Sequence, residues 1–176
     1  MAQIVVGNQT MNFNAYEQVA ENRYRENKGF YYEDFVVGTV IEHTPGRTIT
    51  MTDNIWQSLI SMNQHPVHID AEYAKTCEFG KILVSSLVTF NIINGLTVHS
   101  ISHRAIANLG WDQVKLNHPV FVGDTLCAET EIISKRLSKS RTGQGIVIVK
   151  TTGKNQHNKT VIQFLRSILI PSQSLK

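Results

Sequence analysis

The sequence predicts an α+β domain in which an antiparallel sheet wraps around one buried helix. Residues 82–101 form the longest apolar stretch, and their apolar side chains fall on nearly every face of a helix. This is typical of a helix in the middle of a core. From Gln113 onward, apolar and polar residues alternate, which indicates long, half-buried strands. Strands that are segregated in sequence from one buried helix favour an α+β fold.

Length and composition point to one globular domain. The chain has 176 residues, of which 41% are hydrophobic and 18% are charged. A chain of this size buries enough surface to hold a core without a metal or a disulfide. The formal net charge is +3, and no block of like charge indicates a nucleic-acid-binding arm. Cys77 and Cys127 lie far apart in the sequence, so neither a disulfide framework nor a thiolate zinc site is expected.

The amino-terminal part differs in composition from the rest. Residues 1–28 are polar, and we predict a surface extension there, with a helical part over residues 16–27. A compact domain follows over residues 29–176. The N-terminus has no basic segment followed by a long apolar run, so we expect no secretory signal. Polar residues within 82–101, such as Ser85, argue against a membrane span. We therefore expect a cytoplasmic protein without a membrane partner.

Local signals predict the first elements of the compact domain. A strand pattern covers residues 38–43, Pro-Gly at 45–46 indicates a turn, and residues 47–51 alternate as a second strand. A helix begins at Thr52 and Asp53. It stops at residues 63–66, because the residue before a proline is pushed out of the α region. Its apolar residues recur at helical spacing: Ile55, Trp56, Leu59, Ile60 and Met62.

The remaining elements follow the same signals. Asp70 is placed to cap a short second helix over residues 71–77, and Phe-Gly at 79–80 breaks that helix. The long apolar helix comes next. Period-two patterns then predict the later strands, which cover residues 114–122, 126–132, 145–152 and 160–170.

The densest polar cluster is the loop 63–70, Asn-Gln-His-Pro-Val-His-Ile-Asp. It lies between two predicted helices, where a rigid scaffold commonly holds functional groups. Three interpretations compete. Asp70 caps a helix; or His65, His68 and Asp70 hold a metal; or His68 acts as an acid and base, because imidazole titrates near neutral pH. Pro66 interrupts the helical spacing of the two histidines and argues against the metal site.

Residues 63–68 of this loop resemble a known motif. Asn-Gln-His-Pro-Val-His is similar to Asp-x-Asn-Pro-(Ile/Val/Leu)-His, the hydratase motif of the MaoC-like, or R-specific enoyl-CoA hydratase, family. Three further stretches carry the resemblance: Thr-Met-Thr-Asp at 50–53, Phe-Gly at 79–80, and Phe-Val-Gly-Asp-Thr-Leu at 121–126. The resemblance covers roughly residues 32–171. It implies a hot-dog fold, in which an antiparallel sheet wraps around one long central helix.

The chain departs from the family motif at particular positions. The aspartate position holds Asn63 and the asparagine position holds His65, whereas His68 is kept. The long helix begins with Val-Ser-Ser-Leu instead of Ala-His-Gly-Met. These departures resemble the itaconyl-CoA or mesaconyl-CoA hydratase subgroup. That subgroup also has Pro-Gly-Arg-Thr, here at residues 45–48, and Asn-Leu-Gly-Trp-Asp, here at residues 108–112.

The resemblance implies a hydratase or dehydratase acting on a short branched enoyl-CoA thioester. The implied substrate is itaconyl-CoA or mesaconyl-CoA, giving citramalyl-CoA or methylmalyl-CoA. Coenzyme A is part of this substrate, and no separate cofactor is implied. His68 is the implied general acid and base. Asn63 would position the water, because an amide cannot take its proton, and Asp70 would orient His68 or replace the missing carboxylate.

Binding residues follow from the same resemblance. The start of the long helix, at Ser85 and Ser86, offers N–H groups and a positive dipole end to the thioester oxygen. Arg47 is the candidate cation for a substrate carboxylate, and His65 and Trp111 are candidate pocket residues. Basic residues expected to meet the CoA phosphates, or else to form a solvated edge, are Arg136, Lys139 and Arg141.

Two other functions stay open at this point. A non-catalytic acyl-CoA binder fits the amide at Asn63, because losing the carboxylate can end the chemistry. A hot-dog thioesterase is disfavoured, because residues 82–101 contain no Asp or Glu. The resemblance also implies that sheet edges pair into a homodimer or a larger homo-oligomer, and it implies no nucleic-acid partner.

Overall fold

The amino-terminal part of the chain folds into two short hairpins. The computed structural model describes residues 4–6, 9–11 and 14–174. Strand β1 (Ile4–Val6) pairs with β2 (Gln9–Met11), and β3 (Tyr16–Ala20) pairs with β4 (Arg23–Glu26). The predicted helix over residues 16–27 is therefore wrong. Every residue of β3 and β4 is exposed, so no apolar stripe is present that a helix would bury. Asn22 adopts the left-handed conformation that a tight turn requires.

A five-stranded antiparallel sheet forms the body of the domain. Its order is β5-β7-β8-β9-β6, so β5 and β6 are the two edges. Along the three central strands inward residues alternate with outward ones, and the inward side chains of β8 and β9 are buried. The strands are β5 (Val40–Thr48), β6 (Ala107–Leu116), β7 (Thr125–Leu137), β8 (Gln144–Lys154) and β9 (Thr160–Pro171).

Three α-helices lie between the edge strands in sequence. They are α1 (Met51–Ile60), α2 (Ala71–Lys75) and α3 (Ser86–Leu96). The sheet wraps around α3, which buries Val88, Thr89 and Ile93. The predicted α+β fold with an antiparallel sheet around one helix is thereby confirmed.

The predicted long helix is shorter than residues 82–101. Leu83 forms an isolated bridge with Phe121, and the Val84 N–H donates to the Val120 carbonyl. Ser85 has an extended backbone, so α3 cannot begin before residue 86. At the other end a π-helical turn (Val98–Ser102) replaces regular α-helix.

The first edge strand corrects two predictions. Pro45 and Gly46 do not end a strand but lie within β5, where the pairing with β7 shifts between His43 and Arg47. A Cβ atom on Gly46 would lie 2.9 Å from the Leu126 carbonyl oxygen, so this position needs glycine. The predicted strand over residues 47–51 ends at Thr48, because the residues after it form the cap and the first turn of α1.

Two apolar clusters make up the core. One contains α3 and includes Val88, Ile93, Leu126 and Phe164. The other lies under the far half of the sheet and is built around Phe30, Phe35, Ile101, Ile132, Val147, Val149, Ile168 and Ile170. Within residues 14–174 the first buried positions are Gly29 and Phe30. The domain boundary placed at residue 29 stays a prediction. No helix in the described parts of the chain is long and apolar enough to cross a membrane.

Candidate active site

The loop between α1 and α2 is held in one shape by its own backbone. Met62 has a positive φ of 54° and the Asn63 N–H returns to the Ser58 carbonyl, so the chain reverses directly after α1. A 3-10 turn then covers Pro66–His68. Asp70 ends the loop as the cap of α2, because its Oδ1 accepts the Tyr73 N–H at 3.0 Å. The predicted capping role of Asp70 is confirmed.

The ring of His68 is anchored through one nitrogen. Its Nδ1 lies 2.8 Å from the Leu83 carbonyl oxygen. A carbonyl oxygen only accepts, so this nitrogen carries the hydrogen. In the neutral ring Nε2 then holds a lone pair and is able to take a proton. Leu83 therefore orients His68, which corrects the suggestion that Asp70 does so.

The neighbouring His65 has the opposite tautomer. Its Nδ1 accepts the Val67 N–H at 3.3 Å, so the neutral ring carries its hydrogen on Nε2. The two imidazole centroids are 5.9 Å apart, and the Tyr73 ring packs edge-on against His65. The loop thus presents one basic ring nitrogen, from His68, and one N–H donor, from His65.

Both histidines line a cavity of about 460 Å³, which we call the histidine cavity. The loop forms one part of its wall, and the start of α3 contributes Ser86 and Thr89. Apolar side chains, including Val84 and Leu116, make up much of the remainder. The segment from residue 116, the last residue of β6, to residue 120 completes the lining.

A residue not singled out in the sequence ties the loop to α3. The amide nitrogen of Asn54 donates to the His68 carbonyl at 2.7 Å, and its Oδ1 accepts the Ser85 N–H at 2.9 Å. Asn54 is fully buried. A single amide therefore sets the position of the His68 backbone relative to the start of α3.

In α1 the buried face is polar and the exposed face carries large apolar side chains, which is the reverse of a usual amphipathic helix. Asn54 and Ser58 are buried, whereas Trp56, Leu59 and Ile60 are 66%, 67% and 73% exposed. The sequence did contain a sign of this polar buried face, because Asn54 and Ser58 are four residues apart and so lie on the same side of a helix. The apolar residues of α1 instead predicted that the opposite face is buried.

Asn63 and Ser85 contact each other below the histidine cavity. The Asn63 amide nitrogen donates to Ser85 Oγ at 3.4 Å, and its Oδ1 accepts the His65 N–H at 3.3 Å. Neither residue is among the described residues that line the cavity. The Asn63 side chain thus contributes hydrogen bonds to the framework of the loop, and its role in positioning water stays a prediction.

The start of α3 leaves backbone donors beside the cavity. The Ser85 N–H is taken by Asn54, and the N–H groups of Val88 and Thr89 bond to the Ser85 carbonyl. Helix geometry leaves the first-turn N–H groups of Ser86 and Leu87 without intrahelical partners. They stand at the positive end of the helix dipole, where a negative oxygen is stabilised.

Arg47 and Trp111 lie away from the histidine cavity. Arg47 lines a second cavity of about 450 Å³ with Asp53, Gln57 and Asn91, and its guanidinium is paired with the Asp53 carboxylate. Trp111 packs on Phe90, and its indole N–H donates to Asn94. Within one chain neither residue lines the histidine cavity, and their assignment to the substrate stays a prediction.

The basic residues assigned to the CoA phosphates are also remote. The cavity wall at Val120 is close to the beginning of β7, whereas Arg136 lies near the end of that strand. Ten residues separate Leu126 from Arg136, or about 33 Å of extended strand. Lys139 and Arg141 lie beyond it, in the turn before β8. This cluster lies far along β7 from the histidine cavity within one chain, and its assignment to the CoA phosphates stays a prediction.

No group of three or more His, Cys, Asp or Glu side chains among the described residues is arranged to hold a metal ion. His65 and His68 use one ring nitrogen each on the backbone, and Asp70 caps α2. The three side chains considered as metal ligands, His65, His68 and Asp70, therefore each have a backbone partner.

The fold and the histidine loop define a MaoC-like hot-dog domain. Its five-stranded antiparallel sheet wraps around α3, and the loop meets the start of that helix. A putative MaoC domain dehydratase from Chloroflexus aurantiacus superposes with a TM-score of 0.78 and is 30% identical, over 82% of this chain and 41% of that one. A monoamine oxidase regulatory protein from Archaeoglobus fulgius gives 0.72 at 30% identity, over 82% and 96%.

The chain belongs to the mesaconyl-CoA hydratase family, whose model matches residues 9–175. It is 32% identical to the mesaconyl-CoA hydratase of Cereibacter sphaeroides over 146 residues, 83% of this chain and 42% of that protein. It is 31% identical to the beta-methylmalyl-CoA dehydratase of Chloroflexus aurantiacus, over 83% of this chain and 41% of that protein. The chain spans about two fifths of the length of these relatives.

Proposed function

We propose that the protein hydrates a short branched enoyl-CoA thioester, with mesaconyl-CoA as the substrate and methylmalyl-CoA as the product. Hydration of itaconyl-CoA to citramalyl-CoA is the variant of this proposal that the sequence also suggested. The observation that carries the proposal is the His68 ring, anchored at Nδ1 and basic at Nε2, in a cavity at the start of α3. Membership of the mesaconyl-CoA hydratase family supports the choice of substrate.

The proposed reaction uses His68 as both base and acid. Nε2 takes a proton from water while the oxygen bonds to the β-carbon of the substrate. The electrons of the double bond move toward the thioester oxygen, which accepts from the first-turn N–H groups of α3, at Ser86 and Leu87. The protonated His68 then returns its proton to the α-carbon, so the imidazole is unchanged after one turnover.

Asn63 and Asp70 serve the framework in this scheme. Asn63 fixes the loop through Ser85 and the His65 N–H, while Asp70 begins α2. A carboxylate is not needed at either position, because one histidine carries the proton in both directions. A non-catalytic acyl-CoA binder is the second candidate. The observation that favours it is the absence of a carboxylate from the described lining of the cavity.

We further propose that the domain works as a homodimer. Edge strand β6 exposes Leu109, Trp111 and Val114, and α1 exposes Trp56 and Ile60. Apolar side chains on an edge strand and on a neighbouring helix are typical of a covered surface. Sedimentation is expected to give twice the 19.8 kDa of the chain, and a monomer at micromolar concentration would contradict this. The cytoplasm stays the predicted compartment.

The test is the absorbance of the enoyl thioester with mesaconyl-CoA, itaconyl-CoA and crotonyl-CoA. Loss of absorbance with a C5 substrate, without release of free CoA thiol, is the expected result. Turnover of crotonyl-CoA alone would support hydratase activity but contradict the assignment of a C5 substrate. Release of thiol would identify a thioesterase. Binding of the three esters without turnover would identify a binder.

A further inference from the structure

A third histidine lines the histidine cavity. His118 follows β6 and contributes to the cavity wall from outside the loop that holds His65 and His68. Its Nδ1 lies 2.7 Å from the Thr160 carbonyl oxygen, at the start of β9. Because a carbonyl only accepts, Nδ1 carries the hydrogen, and Nε2 is the nitrogen that remains for a ligand. His118 is thus anchored in the same way as His68, but by the first residue of β9 instead of by Leu83.

The cavity contains little charge to meet an anion. No Arg, Lys, Asp or Glu is among the described residues of its wall, and the three histidines are its ionisable groups. His68 is assigned to proton transfer. His65 accepts the Val67 N–H at Nδ1, so it cannot become a cation without losing that bond, and its Nε2–H is a neutral donor only.

The proposed C5 substrates differ from crotonyl-CoA by carrying a free carboxylate. His118 lies on the exposed side of the cavity, where a carboxylate gives up part of its water on entering and is held best by a cation or by hydrogen-bond donors. Arg47 cannot meet it within this chain, since it lies in the other cavity in an ion pair. A protonated imidazole donates through Nε2 and carries the required charge, and a nearby carboxylate favours that charged form.

We propose that His118 binds the free carboxylate of the substrate and thereby selects dicarboxylic acyl-CoA thioesters over monocarboxylic ones. This inference rests on the proposed function and names a specificity residue for the same site. In this proposal Nε2 of His118 donates to the substrate carboxylate, and His68 acts on the double bond. His118 takes no part in moving the proton.

The test compares two substrates that share coenzyme A and differ in the carboxylate. His118→Asn places an amide N–H close to the position of the ring Nδ1–H, so the bond to Thr160 is retained while the cationic group is removed. We expect the KM for mesaconyl-CoA to rise about tenfold or more, as for loss of a charge-assisted hydrogen bond, with kcat nearly unchanged. For crotonyl-CoA, KM and kcat are expected to stay within about twofold, since uniform binding through coenzyme A is untouched.

Two further variants keep the experiment decisive. His118→Arg restores a permanent cation and is expected to keep the preference for mesaconyl-CoA. His99→Gln changes an exposed histidine near the other end of α3 and is expected to leave both substrates unaffected. The melting temperature of each variant is the folding control.

The contradicting outcomes are distinct. An equal rise in KM for both substrates would assign His118 to the coenzyme A moiety, and no change would remove it from the site. If the wild type hydrates neither substrate, the proposed function fails. Calorimetric binding of mesaconyl-CoA and crotonyl-CoA then decides the His118 inference. A preference for mesaconyl-CoA that the Asn variant loses supports it, and a preference that is absent or retained overturns it.

Discussion

The two cavities beside α3 have nearly equal volumes, about 460 and 450 Å³, and both contain polar side chains. They differ in how those side chains are bonded. In the histidine cavity, His68 and His118 each give one ring nitrogen to a backbone carbonyl and keep the other free. In the second cavity, which we call the arginine cavity, Arg47 pairs with Asp53, and Gln57 accepts from Asn91.

This comparison shows that polar side chains alone do not define a site. In the arginine cavity Arg47 already pairs with Asp53, and Asn91 already donates to Gln57, so a ligand would compete with these two bonds. The histidine cavity holds its rings rigidly through the backbone and still leaves them able to bond. We therefore propose the histidine cavity as the site of the chemistry and expect a smaller contribution from Arg47.

The largest effect is expected from removing the free nitrogen of His68. His68→Asn keeps an N–H donor near the Leu83 carbonyl but has no group that takes a proton. We expect kcat for mesaconyl-CoA to fall by about 10²–10⁴-fold, the usual contribution of a positioned acid–base group. Steady-state kinetics measures this, with unchanged melting temperature as the control. A decrease smaller than tenfold would mean that another group moves the proton.

A smaller effect is expected when the support of the histidine cavity is changed. Asn54→Leu fills a similar volume but neither accepts the Ser85 N–H nor donates to the His68 carbonyl. A buried carbonyl without a donor costs about 1–3 kcal/mol, and we expect kcat to fall about tenfold or more as His68 shifts. The KM is expected to change less than kcat.

Ser58→Ala is the matched control for Asn54. Ser58 is buried on the same helix, and its Oγ has no hydrogen-bond partner in the described structure. Removal of the Ser58 hydroxyl is expected to leave kcat unchanged. If both variants lose stability and activity in parallel, Asn54 supports the helix in general and has no particular influence on His68.

The comparison extends to His43, a histidine with both nitrogens bonded. Its Nε2 bonds to Thr130 and its Nδ1 to Ser100, and burial lowers its pKa from 6.5 to about 4. The unfolded chain therefore binds more protons than the folded one between these values. The contribution of neutral His43 to stability is complete above pH 6.5 and is lost as the pH falls toward 4.

Urea unfolding measures this effect of His43. Between pH 7 and pH 5 the free energy of unfolding is expected to fall by about 2 kcal/mol through this group. His43→Gln is expected to have lower stability at pH 7 but a much weaker dependence on pH in this range. An equal pH dependence in both proteins would show that another group titrates.

The smallest effect is expected from the arginine cavity. Arg47→Gln breaks an ion pair whose arginine side chain is 53% exposed, and such pairs contribute about 0–1 kcal/mol. The kcat/KM for mesaconyl-CoA is expected to stay within about twofold. A selective loss of mesaconyl-CoA over crotonyl-CoA would instead restore the prediction that Arg47 binds the substrate carboxylate.

The sequence predicted the parts of the fold that depend on local pattern and motif. The α+β class and the helix end before Pro66 followed from periodicity and from backbone restrictions of proline. The hot-dog architecture followed from the loop at 63–68 and its accompanying motifs. The cap by Asp70 also needed only local chemistry, since its partner is the Tyr73 N–H, three residues away.

Contacts between distant segments could not be read from the sequence. Asn54 bonds to groups 14 and 31 residues away, and His118 depends on a carbonyl 42 residues away. The expectation for Arg47 depended on its position in the sequence, just before α1. In the fold, β5 and α1 place its side chain in the arginine cavity. The exposed face of α1 was missed because periodicity identifies an apolar stripe without saying what covers it.

The most direct test of the central claim measures hydration of mesaconyl-CoA by the wild type, His68→Asn and Arg47→Gln proteins under one set of conditions. The assignment of chemistry to the histidine cavity predicts rapid loss of enoyl-thioester absorbance for the wild type and for Arg47→Gln, and loss slower by about 10²-fold or more for His68→Asn. A fully folded His68→Asn protein with wild-type turnover, or an Arg47→Gln protein without turnover, would contradict it.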